Sequence, residues 1–204
     1  MHANVRATTR TDMTQLIGKL LIAMPSMPDP RFAHSVVFLC AHSESGAMGV
    51  IINKPLPDLN LIKLMEHLNI EATEAGRGLG SDAVDGPVHF GGPVETSRGF
   101  VLHSPDFFNA EGSLQVSDGI VLSTSVEVLA EMARGQGPAQ SIVALGYAGW
   151  GPEQLDGEIQ AGGWLIADGV PDMLFGTEDA GKWSAALGQI GVDPRLLSGA
   201  SGHA

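Results

Sequence analysis

The chain has 204 residues, of which 11 are lysine or arginine and 23 are aspartate or glutamate, giving a formal net charge of −12 at pH 7. A field of this sign repels duplex DNA and anionic membranes, and the basic residues form no cluster that would offset it. The single cysteine rules out an internal disulfide, and no run of about 18 apolar residues predicts a membrane span, so we expect a cytoplasmic protein.

The N-terminus is predicted to be a flexible tail over residues 1–15, followed by one domain over residues 16–204. The tail shows no apolar periodicity, which is typical of an unpacked terminus. Met13 is an alternative to Met1 as the native start. A chain of this length fits one domain.

The first structured part is predicted to be a β-hairpin. Residues 36–42 and 47–53 are continuous apolar, β-branched runs, which are typical of strands buried on both faces. The polar turn at 43–46 joins them. A further apolar run covers residues 16–24, and Pro25 ends it.

One helix and then an acidic loop are predicted next. Apolar residues recur with helical spacing over residues 61–68, and Asp58 or Asn60 can cap the helix N-terminus. Residues 71–86 are acidic and rich in glycine, which predicts a mobile loop.

The rest of the chain is predicted to alternate strands with helices. The strands cover residues 88–94, 98–103, 119–123, 141–147 and 164–167. The helix starts are predicted from a capping box of Thr124 with Glu127, from Pro152 at a first helical position, and from Thr177 as a cap. Gly135 is expected to end the first of these helices. Because some strands follow each other directly and others are separated by helices, we predict an α+β domain with a mixed sheet.

Familiar sequence templates for catalysis or cofactor binding are absent or weak. The chain has no G-x-S-x-G nucleophile motif and no Walker A motif. Residues 76–80 resemble a phosphate-binding loop, but they follow an acidic loop where a strand is required. No cofactor is therefore expected, and no enzymatic activity is indicated.

Metal binding and cysteine chemistry are also poorly supported by the sequence. The histidines are scattered singly, so we expect no metal site, although His34, His42 and His103 could meet in the fold. Cys40 lies in a predicted buried strand, which favours a packing role over a reactive one.

The best candidate binding residues lie at or just beyond predicted strand ends, where binding groups often collect. They are Asn53, His103, Tyr147, Trp150 and Gln154. Each also has a purely structural interpretation. The two strand-end side chains could satisfy backbone groups, the aromatic rings could fill the edge of the core, and Gln154 could form a solvated polar pair with Asp156 or Glu158.

Glycines flank the aromatic residues in the segment 146–150. Because Gly146 and Gly149 lie so near Tyr147 and Trp150, we expect Gly149 to adopt a positive φ or to let another backbone approach closely. A β-branched residue there should therefore be strained.

Three groups of segments together resemble the YqgE/AlgH family of bacterial proteins. They are GKLLIAMPSMPDPRFAHSVVFLCAH followed by GAMGVIINKP, VHFGGPV followed by RGFVLH, and LGYAGWGPEQLDGEI followed by GGWL. The resemblance implies a mixed sheet with a small barrel-like closure, flanked by helices. Members of the family are often labelled transcriptional regulators, and no biochemical activity is firmly attached to them. The polar positions of these motifs, Asn53, His103, Tyr147 and Gln154, are where a ligand site would be expected.

Two functional hypotheses follow. The first is a cytoplasmic regulator that acts through contacts with a protein or small ligand of unknown identity, with no strong nucleic-acid binding and no membrane partner. The alternative is an enzyme or small-molecule-binding protein whose pocket forms where Asn53, His103 and the segment 146–154 converge.

Overall fold

The computed structural model describes residues 16–74, 76 and 86–197, so the predicted tail and most of the predicted acidic loop lie outside the described residues. The strands are β1 (Lys19–Ala23), β2 (Val36–Ser43), β3 (Gly46–Ile51), β4 (Pro55–Asn60), β5 (Pro87–Phe90), β6 (Val94–His103), β7 (Ser113–Ser117), β8 (Ile120–Ser123), β9 (Ser141–Trp150) and β10 (Trp164–Asp168). The helices are α1 (Leu61–His67), α2 (Val126–Arg134), α3 (Gln154–Gln160), α4 (Pro171–Phe175), α5 (Asp179–Gln189) and α6 (Pro194–Leu197), and a short 3₁₀ turn covers Pro30–Phe32.

The ten strands form one curled half-barrel sheet, in which the main path runs β10-β1-β2-β3-β9-β6-β8-β7. Neighbouring strands along this path are antiparallel, while β5 pairs with β9 in parallel and with β4 in antiparallel fashion. The predicted α+β class with a mixed sheet is therefore confirmed. No helix in the described part of the chain is long and apolar enough to cross a membrane.

Strand β9 joins the two halves of the sheet because it has two partners along one of its edges. Its residues 143–145 pair with β5, and its residues 148–150 pair with β3. The opposite edge of β9 pairs with β6. Since β9 continues to Trp150, three residues beyond the predicted strand, it reaches from one end of the half-barrel to the other.

Three glycines make this change of partner possible. Gly91 donates its N–H to the Leu145 carbonyl at 2.8 Å and accepts from the Ile51 N–H at 2.9 Å, so it bridges β9 and β3. A Cβ atom on Gly92 would overlap the backbone of Tyr147, and one on Gly146 would overlap the Gly92 carbonyl. Gly92 and Gly146 also have φ values of 152° and 73°, which side chains rarely tolerate.

The prediction for Gly149 is wrong. The positive φ in this segment belongs to Gly146, and Gly149 has an ordinary backbone conformation. A Cβ on Gly149 would meet the side chains of Tyr147 at 3.1 Å and Val94 at 3.6 Å, so side chains rather than another backbone crowd it. The close backbone contact occurs three residues earlier, at Gly146, which meets Gly92 just after the end of β5.

Several helix starts also differ from their predictions. The helix after β8 has Ser125 as its N-cap, without a side-chain cap hydrogen bond, so the capping box is absent. Helix α3 begins after Glu153, whose φ is 59°, and Pro152 lies outside it. Thr177 donates to the Asp172 carbonyl at 3.3 Å instead of capping α5. By contrast, the Asn60 cap is confirmed, because its side chain accepts from the Lys63 N–H at 3.0 Å.

Other differences concern elements that the sequence pattern did not predict. Strand β4 carries two prolines, and no residue of β4 or β7 is buried, so neither shows a buried apolar pattern. Helix α4 is only five residues long.

The predicted end of the helix after β8 is confirmed. Gly135 ends α2 with a φ of 76°.

Alternate residues of the central strands point to opposite faces of the sheet and pack in two different apolar layers. In β2, Phe38 and Cys40 pack toward α4 and α5, whereas Val37 and Leu39 pack toward α3. The prediction of strands buried on both faces is thus confirmed. A third layer lies beneath α1 and α2.

A buried ionic network fixes α5 to the sheet. The Asp179 carboxylate accepts from Lys182 Nζ at 2.7 Å and faces His89 Nε2 of β5 at 2.9 Å. Burial alone would raise the pKa of Asp179, but the hydrogen bonds from His89 and Lys182 outweigh it and hold that pKa below the usual value. The hydrogen bond between His89 and Asp179 therefore joins the helix to the sheet in addition to packing.

We expect Gly146→Ala to lower the free energy of unfolding by about 2 kcal/mol or more, because a Cβ would overlap the Gly92 carbonyl and the left-handed φ is itself costly. The matched control is Gly188→Ala in α5, where an added Cβ meets nothing within 4 Å. That change should stabilise the protein by about 0.5–1 kcal/mol through helix propensity. Chemical denaturation of both variants checks the prediction, and equal stabilities would contradict it.

Candidate functional site

A cleft opens between α3 and the loop that follows β1, with a cavity volume of about 460 Å³. We call it the indole cleft. The side chains that define it come from four separate segments: Met27, Phe32, Trp150, Gln154, Glu158 and Trp164.

The secondary structure places these side chains around one space. Trp150 ends β9, and Trp164 begins β10, where it lies opposite Ala23 of β1. Leu155, which is buried in the core, anchors α3 across the end of the sheet. The helix stops at the turn 161–163, where the Gly163 N–H donates to the Glu158 carbonyl at 2.9 Å. Glu158 is thereby held between the two tryptophans.

One carboxylate organises the cleft. Glu158 Oε2 accepts from the indole Nε1 of Trp150 at 2.9 Å and from that of Trp164 at 2.8 Å. Its Oε1 accepts from Gln154 Nε2 at 2.9 Å. The two indole rings are only 7% and 3% exposed, so their N–H groups need a protein acceptor. The ring centroids lie 5.9 Å apart in an edge-to-face arrangement, which the shared oxygen fixes.

An ion pair and a third ring form the rim of the cleft. The Arg31 guanidinium makes a two-point contact with the Asp29 carboxylate, at 2.6–3.1 Å. These hydrogen bonds hold the pKa of Asp29 below its usual value. Phe32 packs edge-to-face on Trp164 with centroids 5.7 Å apart. The rim is thus charged and the interior is largely aromatic.

Two of the predicted site residues, Trp150 and Gln154, meet in this cleft. The alternative of a polar pair is also correct for Gln154, since its side chain binds Glu158. Asp156 instead faces His42 Nε2 at 3.1 Å.

Tyr147 lies on a neighbouring groove of about 550 Å³ along the curled sheet. Its ring packs on Phe100 with centroids 5.5 Å apart, and Arg98 lies over the Phe100 ring. Gly149 and Trp150 border both the groove and the indole cleft. A movement of Trp150 would therefore be felt on both sides of β9.

The Asn53 side chain forms hydrogen bonds with backbone groups at the end of the β2–β3 hairpin. Its Oδ1 accepts from the Val36 N–H at 2.8 Å, and its Nδ2 donates to the His34 carbonyl at 2.9 Å. It borders a small polar cavity together with Trp183.

His103 is completely buried. Its Nδ1 lies 2.8 Å from the Ser104 carbonyl, to which it can only donate, so Nε2 accepts from the Ser123 hydroxyl at 2.8 Å. Burial lowers the pKa of His103 and favours this neutral form. His103 lies opposite Ser141, which is at the other end of β9 from Trp150. The expected pocket of Asn53, His103 and the segment 146–154 therefore does not form.

The histidines considered for a metal site have separate partners. His34 packs against Trp183 with centroids 4.7 Å apart, while His42 and His103 make the contacts given above. Within the described residues, no group of three His, Cys, Asp or Glu side chains is arranged to hold a metal ion. Cys40 is buried, which raises the pKa of its thiol to about 12 and fits the packing role.

Sequence reasoning missed the central residue of the cleft. The sequence pattern indicates Glu158 only as one possible half of a solvated pair, and it does not single out Trp164 or Phe32. The available signal was the spacing of four between Gln154 and Glu158 beside tryptophans on both sides of one short helix. That spacing places both polar side chains on one helix face.

Comparison with known proteins identifies the family. Residues 20–195 match the model of the family described as AlgH-like, so the chain belongs to this family, as its motifs predicted. A UPF0301 protein of Ruegeria pomeroyi is 54% identical over 189 residues, which cover 93% of this chain and 99% of the relative. A UPF0301 protein of Methylobacterium nodulans is 49% identical over 203 residues, covering 100% and 97%.

Two solved structures share the fold. The solution structure of the AlgH protein from Pseudomonas aeruginosa is 37% identical, covers 98% of this chain and 100% of its own, and superposes with a TM-score of 0.72. The crystal structure of a Corynebacterium diphtheriae protein superposes with a TM-score of 0.66, covering 97% and 92%. At 20% identity, the second likeness concerns the fold alone.

We expect Glu158→Ala to lower the free energy of unfolding by about 2–4 kcal/mol, because two buried indole N–H groups would lose their shared acceptor. Gln160→Ala, on the exposed side of the same helix, is the matched control and should change stability by less than about 0.5 kcal/mol. Chemical denaturation measures both. A loss for Glu158→Ala as small as that of the control would contradict the organising role of this carboxylate.

Proposed function

We propose that this AlgH-like protein binds a small organic ligand in the indole cleft and works through that binding rather than through catalysis. The observation that carries the proposal is the Glu158 carboxylate, which holds both indole rings and the Gln154 amide in place through hydrogen bonds within the protein. A cleft whose rings are fixed beforehand loses less conformational entropy on binding, so its affinity is greater.

The size and lining of the cleft support the same proposal. A volume of about 460 Å³ lies within the range of about 300–1,000 Å³ that is usual for small-molecule sites. Such sites combine apolar and aromatic walls with a few placed polar groups, here Glu158 and Gln154. Edge-to-face contacts among Phe32, Trp150 and Trp164 maintain the walls.

We propose that the protein regulates through this ligand and through contacts with other proteins in the cytoplasm. Trp150 offers a physical route, because it borders both the indole cleft and the groove that contains Tyr147. A ligand that packs against this ring would lie at the boundary between the two surfaces. The alternative pocket of Asn53, His103 and Tyr147 has no comparable support, since these side chains lie apart.

The ligand proposal predicts that some compounds in a chemically diverse library stabilise the protein and also change the fluorescence of the cleft tryptophans. The chain has three tryptophans, so Trp183→Phe leaves only Trp150 and Trp164 as reporters. A compound at about 100 times its Kd should add about 2.7 kcal/mol to the free energy of unfolding. Thermal shift and fluorescence titration of this variant are the measurements.

Phe32→Ala, which removes one ring from the rim, should weaken these ligands, and Gln160→Ala should not. Compounds that stabilise the protein without changing the fluorescence of the cleft tryptophans would place the site elsewhere. A library without any hit would contradict the proposal.

We expect no sequence-preferring complex with duplex DNA near physiological salt, about 0.15 M. The reason is the net charge of −12, which opposes association with phosphates over most of the surface. Electrophoretic mobility shift at several salt concentrations measures this. A complex that persists with sequence preference would show instead that the protein is a direct DNA-binding regulator.

A further inference from the structure

The Glu158 carboxylate is fully bonded on one oxygen and only partly on the other. A carboxylate has about four acceptor positions, two on each oxygen. The two indole donors occupy those of Oε2, and Gln154 occupies one on Oε1. The described residues therefore leave one acceptor position on Oε1 unused, on a side chain that lines the cleft.

The charge of this carboxylate is not matched by a cation. All three hydrogen-bond donors to Glu158 are neutral groups. Among residues 16–74, 76 and 86–197, no lysine, arginine or histidine nitrogen lies within 4.0 Å of its oxygens. Neutral donors stabilise a carboxylate locally, but they leave its full negative charge in place.

The other charged groups of the cleft neutralise each other. Asp29 and Arg31 form a two-point ion pair in which both the Nε and Nη2 groups of the arginine are used. They and Glu158 are the charged residues that line the cleft. The residues that line the cleft thus carry one net negative charge, and a further cation, Lys54, donates to the Arg31 carbonyl at 2.8 Å outside this lining.

The aromatic lining attracts the same kind of ligand as this charge. Indole and phenyl rings carry negative electrostatic potential on their faces, so they bind organic cations as well as apolar groups. Phe32, Trp150 and Trp164 line the cleft together with the partly buried carboxylate. A positively charged group with an apolar body would use both features, whereas an anionic ligand would be repelled by Glu158.

We propose that the ligand of the indole cleft is an organic ammonium ion, a protonated amine on an apolar or aromatic body, whose N–H donates to the open position on Glu158 Oε1. This inference rests on the proposed function, because it specifies the ligand class of the same cleft. It requires at least one N–H on the cation, which distinguishes protonated amines from quaternary ammonium ions.

The test compares three probes of similar shape and different charge: phenethylamine, phenethyl alcohol and phenylacetate. Binding to the full chain is followed by the indole N–H resonances in a proton–nitrogen correlation spectrum, assigned with single Trp→Phe variants. Trp183 serves as the internal reference, because its Nε1 donates to the Ala23 carbonyl instead of Glu158 and its side chain does not line the cleft.

We expect protonated phenethylamine to shift the resonances of Trp150 and Trp164 but not that of Trp183. Its Kd should be about tenfold lower than that of the alcohol, with phenylacetate weakest. Glu158→Gln is close in size and removes the charge, although its amide offers one accepting oxygen in place of two, so it should abolish the preference for the amine over the alcohol. Gln160→Ala should retain it.

Equal affinity for the amine and the alcohol, or a preference for phenylacetate, would overturn the inference while leaving the cleft as a binding site. Absence of any shift with all three probes would also overturn it. The comparison of probes uses the unaltered chain, so the result stands even if Glu158→Gln fails to fold. The proposed function fails on a different result, namely that no compound in the wider library reaches the cleft tryptophans.

Discussion

The contact between the backbone of Gly92 and that of Gly146 is the constraint on which the rest of the structure depends. It lets β5 end directly against β9, so β3 can take over the same edge of β9 a few residues later. Without this exchange of partners, the strands on either side of β9 would belong to two separate sheets. The continuation of β9 beyond the contact also carries Trp150 to the end of the half-barrel, where the indole cleft forms.

The two faces of the sheet are stabilised by different means. On the face covered by α5, the partly buried carboxylate of Asp179 forms an ion pair with the buried Lys182 and faces His89. On the face covered by α3, the Glu158 carboxylate is met only by neutral N–H donors. The first arrangement is complete within the chain and serves packing. The second leaves the negative charge of Glu158 without a cationic partner, which a ligand can supply. For this reason we propose that the binding site lies on the α3 face.

Features that depend on interactions between residues close in the chain could be predicted from the sequence, and features that depend on distant residues could not. Strands β2 and β3 were predictable because burial on both faces leaves a continuous apolar run, and the Asn60 cap was predictable because its hydrogen bond is local. The positive φ was assigned to Gly149 instead of Gly146, because only the distant Gly92 distinguishes them. Glu158 was missed for the same reason. Its exposed-looking helix position gains meaning only when β9 and β10 bring Trp150 and Trp164 to it.

The choice of a carboxylate at position 158 shows why structure and recognition are joined in this cleft. Two indole N–H groups converge on Oε2, and the Gln154 amide donates to Oε1, so both oxygens must accept. A glutamine at this position would offer one accepting oxygen and would turn an N–H₂ group toward either the indoles or the Gln154 amide. The three donors therefore require a carboxylate for geometric reasons alone. Its charge comes with that geometry, and all three groups that donate to it are neutral. A cation in the cleft would supply the opposite charge, so the same side chain that orders the rings also determines which ligands they admit.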